Sequence, residues 1–187
     1  MSHTSTIKDT PIKSITALEA AVRRLQEAGV KCSLKRNAVP RMYYNDQIAK
    51  HIQAKRPNDY RFHANPEECD FVLQLDEAYF DVAFLRTKEG HLEAVWDDFA
   101  YSGAGSYSND LRPTKGISAV LGAKFEGRVE HWSGLREGAM AHSIGKLMQE
   151  YSRAATIEVA GQSGLSLMGE TVTEDGAVHL EFVKISA

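Results

Sequence analysis

Leu18, Ala21, Val22 and Leu25 recur at i, i+3, i+4 and i+7, the spacing that gathers apolar side chains on one stripe of a helix. Just upstream, Thr16-Ala17-Leu18-Glu19 has the form of a capping box, with the Thr hydroxyl accepting from the Glu19 amide and the carboxylate reaching back. Gly29 is placed to end this helix in the left-handed conformation. Ser5 to Lys8 before it and Val30 to Leu34 after it read as strands. Farther on, Phe71, Leu73 and Leu75 alternate, Tyr79 to Leu85 is apolar except for Asp81, and Leu92, Ala94 and Trp96 alternate again. Turn-like Asp76-Glu77-Ala78 and Lys88-Glu89-Gly90 join these runs, which predicts an antiparallel meander with one face buried.

The later chain is less regular. From Tyr101 to Ser133 it is rich in Gly and Ser and reads as loop, with a short helix within Pro113 to Ala123. A second long helix is predicted from about Ala139 to Ser163, on the stripe Ile144, Leu147, Met148, Tyr151, Ala154 and Ala155. Leu165 to Thr173, the turn Glu174-Asp175-Gly176, and Val178, Leu180 and Phe182 form a closing hairpin. The order implies an α+β fold: an antiparallel sheet with two main helices packed on one face, a basic insert and a Gly/Ser-rich loop region. Residues 1–187 are read as a single domain, with the insert at 30–66 and the loop-rich elaboration at 101–133.

Composition changes little in this picture; charge changes more. Hydrophobic residues at 43% and charged residues at 25% are ordinary for a folded globular chain. No apolar run approaches the roughly 20 residues a membrane helix needs, so no membrane partner is expected. The first residues lack the basic start and apolar stretch of a secretory signal, and a cytoplasmic location is the expectation. Cys32 and Cys69 are expected to be free and buried. The net charge of −3 conceals a split. Val30 to Pro66 holds eight Lys or Arg against Asp46 and Asp59, a balance of +6. Glu67 to Asp98 holds ten acids against Arg86 and Lys88, a balance of −8.

The basic segment supplies the candidate binding residues: Arg36, Arg41, Tyr43, Tyr44, Lys50, Lys55, Arg56 and Arg61. Cations interleaved with aromatics suit phosphate neutralisation and base stacking, so a single-stranded nucleic acid or RNA is one partner class. The other reading is that the aromatics pack the insert onto the sheet while its cations are solvated or pair with the acidic meander. Whether the two charged segments touch separates these readings. No catalytic residue is assigned. The histidines show no ligand spacing, Glu67, Glu68 and Asp70 with His63 and Cys69 match no metal pattern, and no metal or cofactor is expected. Ser102-Gly103-Ala104-Gly105-Ser106 lacks the Gly-Lys-Ser/Thr of a phosphate loop, and the Gly-x-Ser-x-Gly elbow of hydrolases is missing.

The two ends carry a family resemblance. Met1-Ser2-His3-x-Ser5-x-Ile7-Lys8, then Gln149-x-Tyr151, Gly164 and Glu174-Asp175-Gly176, resemble in order and spacing the Ycf-thirty-five-like proteins of plastids, cyanobacteria and bacteriophages, a domain of unknown function. The segment 70–96 resembles the family's central strands more loosely, and the matches together cover about half of the chain. Short members lack the expanded regions 30–66 and 101–133. Bacterial and phage relatives often lie beside an AAA+ ATPase, so the resemblance implies an accessory role through protein–protein contacts and brings no catalytic residues. Homo-oligomerisation through an exposed sheet edge is a further possibility, with no edge singled out by the sequence.

Overall fold

The computed structural model describes residues 4–8, 11–41, 69–97, 115–131, 134–142, 144–173 and 177–184. Within them the chain runs β1 (Thr4–Lys8), α1 (Ile15–Glu27), β2 (Cys32–Arg36), β3 (Phe71–Leu75), β4 (Val82–Arg86) and β5 (Leu92–Asp97). It continues through α2 (Ile117–Leu121), β6 (Ala123–His131), β7 (Gly134–His142), α3 (Gly145–Gln162), β8 (Leu165–Val172) and β9 (Val178–Lys184). The fold is α+β. An antiparallel sheet has the order β2-β3-β4-β5-β1-β6-β7, and β8-β9 forms a separate hairpin. The meander β3-β4-β5 predicted from alternation is present, with Leu73 opposite Val82 and Val82 opposite Trp96.

Helix packing follows the predicted stripes. Leu18, Ala21, Val22 and Leu25 of α1 are buried, as are Ile144, Leu147, Met148, Tyr151 and Ala154 in and before α3. They join Phe71, Leu73, Leu75, Val82, Phe84, Leu92, Ala94 and Trp96 in one core on a single sheet face, and Ile117 and Leu121 of α2 enter the same core.

Three expectations are corrected. First, the N-cap of α1 is Ser14, two residues before the predicted Thr16. Ser14 Oγ accepts from the Ala17 amide at 3.0 Å, and Glu19 turns outward to Arg36 instead of closing a box. Tertiary contacts choose this cap. The Tyr151 hydroxyl on α3 accepts from the Lys13 amide at 2.8 Å and the Ser14 amide at 3.3 Å, and Ser14 Oγ donates to Glu158. Second, residues 123–142 form the β6–β7 pair, in register from Ala123 opposite His142 to His131 opposite Gly134. The loop region therefore contains a strand, and the second helix starts at Gly145 rather than near Ala139. Third, the meander is buried on both faces. Val72, Ala83, Leu85 and Val95 with Cys69 form a second apolar cluster opposite the helices, and Ala38 packs against it. The unbroken apolar run of β4 is the pattern of a strand covered on both sides.

Candidate binding surfaces

The root of the basic insert is built on the second sheet face. After β2, Asn37 takes a left-handed φ of 47°, and its amide donates to the Asp70 carbonyl at 3.2 Å, beside the start of β3. Four residues later Arg41 lies at the other end of the same strand, donating from Nη2 to the Leu75 carbonyl at 2.6 Å. Residues 37–41 thus cross the sheet on the face where Ala38 meets the second cluster.

Arg41 lands on Asp81, whose side chain is 0% exposed. Alternation along β4 puts Asp81 on the same face as Ala83 and Leu85. Its Oδ1 accepts from Arg41 Nη2 at 2.6 Å and Nε at 3.1 Å, and Oδ2 accepts from the Arg41 amide at 2.8 Å. Oδ1 also accepts from the Leu75 amide at 3.3 Å, while the Asp81 amide donates to the Arg41 carbonyl at 3.0 Å. A buried carboxylate is tolerable only with such a full set of partners. The Asp81 hydrogen bond pushes the Arg41 pKa above its already high ordinary value, so the guanidinium stays charged at every accessible pH.

The neighbouring cations are also engaged. Arg36 Nη2 meets Glu19 Oε1 at 2.8 Å, and its guanidinium lies 5.3 Å from the Phe71 ring centroid. Lys31 Nζ is 3.6 Å from Glu77, and Lys115 Nζ bonds the same carboxylate at 2.6 Å. That Lys115 bond, more than the Lys31 charge, holds Glu77 below its ordinary carboxylate range. Arg86 pairs with Asp70 at 3.1 Å within the acidic segment. The two charged segments therefore touch at Arg41–Asp81 and Lys31–Glu77. Of the predicted binding residues the structure describes Arg36 and Arg41; Arg36 pairs with Glu19 at the surface and Arg41 with buried Asp81. Tyr43, Tyr44, Lys50, Lys55, Arg56 and Arg61 lie outside the described residues.

Chemistry-bearing groups elsewhere are few. Among the described residues no three His, Cys, Asp or Glu side chains are grouped to hold a metal ion. His91 sits in the β4–β5 turn, Nδ1 at 3.2 Å from Thr87 Oγ1 and Nε2 at 3.6 Å from Glu93. Cys32 and Cys69 are free and buried. Burial pushes each thiol up to about 11, with Asp76 adding to the effect at Cys32 and Asp70 at Cys69. Neither is then a thiolate near neutral pH. No helix among the described residues is long and apolar enough to cross a membrane.

A second group of exposed apolar residues, which the charge pattern does not reveal, lies on the C-terminal hairpin and the end of α3. Met168 is 69% exposed, Val172 63% and Val183 44%, and Val159 on the last turns of α3 is 61% exposed. The sequence signal is the pair Leu167-Met168, two apolar residues in succession where a half-buried strand should alternate. Met168 is the extra residue of a β-bulge between Leu167 and Gly169. The hairpin is fastened to the helices by a charged knot: Glu170 pairs with Arg153 of α3 and lies 4.0 Å from Arg24 of α1, and Arg153 also meets Glu150 at 3.3 Å. No family model, curated protein or solved structure matches this chain.

Proposed function

We propose that this is a non-catalytic accessory protein that acts through protein–protein contacts, and that its C-terminal hairpin makes them. The observation that carries the reading is the exposure of Met168, Val172 and Val183 on a hairpin separate from the main sheet. Val172, opposite Val178, and Val183, opposite Ser166, lie on the two faces of the hairpin, so each face offers an apolar contact, and methionine suits a contact that must adapt to its partner. The resemblance of both chain ends to the Ycf-thirty-five-like proteins makes AAA+ ATPase machinery the first partner class to test. The nucleic-acid reading is the second one: of its eight candidate residues Arg36 pairs with Glu19 at the surface and Arg41 is held by buried Asp81, and the other six lie outside the described residues.

Capture from an extract of the native cell tests this proposal, comparing the full chain with a Met168→Ser/Val172→Ser/Val183→Ser variant of equal circular dichroism. Surface substitutions of this kind change stability by only about 0.5 kcal/mol each. The expected result is a stoichiometric protein partner held by the native chain and lost by the variant. Recovery of no specific partner, or equal recovery by both chains, would sink the proposal.

A further inference from the structure

We infer that the outer edge of β9 pairs with the same edge of a second copy of this chain, joining two hairpins into one four-stranded antiparallel sheet. The inference rests on the protein-contact reading above and names the chain itself as a partner. β8 lies along α3, whereas β9 has its extensive contacts only with β8. Among the described residues no strand pairs with the outer edge of β9. The two edges of the hairpin differ in kind. β8 is interrupted by the bulge at Met168, a device that blunts an edge. β9 runs regularly from Val178 to Lys184 with neither bulge nor proline, which leaves its N–H and C=O groups in the order a second strand requires.

The side chains of β9 choose both the occupant and the register. Val178, Leu180 and Phe182 are half-buried on one face, while His179, Glu181 and Val183 are exposed on the other. A two-fold axis perpendicular to the sheet, centred on Leu180, places Val178 opposite Phe182 of the second copy and Leu180 opposite Leu180. On the exposed face it places His179 opposite Glu181, twice by symmetry. Both faces are then complementary, apolar against apolar and base against acid. Neighbouring symmetric registers fail. Centring on Glu181 opposes two carboxylates, centring on Phe182 opposes Leu180 with Lys184, and centring on His179 leaves Phe182 with no opposite residue within β9. A shift of one residue would put apolar side chains opposite polar ones.

Sedimentation velocity of the full chain over a concentration series tests the inference with three proteins: the native chain, Glu181→Lys, and the exchange His179→Glu/Glu181→Lys. A native dimer is expected, weakened about tenfold by Glu181→Lys, which sets Lys against His, and restored by the exchange. Mild oxidation should link Leu180→Cys into a covalent dimer, because paired positions have Cα atoms about 5 Å apart, and should leave Ser166→Cys on β8 unlinked. A native chain that is monomeric throughout overturns the inference, as does a dimer unmoved by Glu181→Lys or not restored by the exchange. A monomer that still captures a foreign protein leaves the accessory reading intact. A native dimer that captures no specific foreign protein removes that reading and keeps this one.

Discussion

Asp81 is fully buried, and its partner Arg41 keeps its side chain 41% exposed, so the pair is half interior and half surface. Removing the guanidinium strands a carboxylate where water cannot reach it. Arg41→Ala should therefore cost about 3 kcal/mol, the low end of the range for breaking a buried pair because the Arg41 head is partly solvated. Replacing both partners by apolar residues, Arg41→Met with Asp81→Leu, should recover much of that loss. Urea unfolding of the single and double variants checks this, and a double variant less stable than Arg41→Ala would contradict it. In sequence Asp81 is visible as the one polar residue in an apolar run. Its partner is not, because a side chain forty positions away in a cationic segment looks like any other surface arginine.

At the scale of the element, α1 shows how local signals and tertiary contacts divide the work. The apolar stripe specifies the helix and its buried face, since burial of Leu18, Val22 and Leu25 depends only on the 3.6-residue period. The starting residue is decided from outside the helix, where Tyr151 and Glu158 of α3 hold residues 13 and 14. Ser14→Ala should thus cost about 1 kcal/mol, and Tyr151→Phe about 1 to 3 kcal/mol for two amides deprived of an acceptor. Thr16→Ala should change thermal stability by less than about 0.5 kcal/mol. A larger loss at Thr16 than at Ser14 in calorimetry would restore the capping box. β6 and β7 make the opposite case. Ala123, Phe125, Gly127 and Val129 alternate with charged residues, but Gly127 interrupts the apolar face, and Ala139-Met140-Ala141 favours a helix. Pairing along the whole length of both strands overrides that local preference.

Among the described residues there are two sheets, and α1 and α3, which pack on each other, lie against the main sheet while α3 also meets β8. Glu170 is the electrostatic link, because its carboxylate reaches Arg153 on α3 and Arg24 on α1. Glu170→Gln should loosen the hairpin without unfolding the main sheet. Hydrogen exchange should then be about tenfold faster for amides of β8 and β9 and unchanged for those of β3 to β5. A uniform rise across the protein would mean that the hairpin and the main sheet open together. At this scale the charge split also acquires its meaning. Carboxylates of the acidic meander hold the beginning of the basic segment in place, so part of the apparent docking charge is spent inside the fold.

Periodicity and turn residues by themselves determined that two long helices with buried stripes, a central meander and a closing hairpin exist, though not where α3 begins, because these follow from side-chain spacing along a single element. Only the tertiary structure decided that β1 lies between β5 and β6 and that the meander is covered on both faces. It also decided that Arg41 belongs to Asp81 and that the hairpin is separate from the main sheet, with Met168 exposed. All of these are non-local pairings, set by which surfaces meet after the chain has folded back on itself, and no local window of the sequence contains both partners.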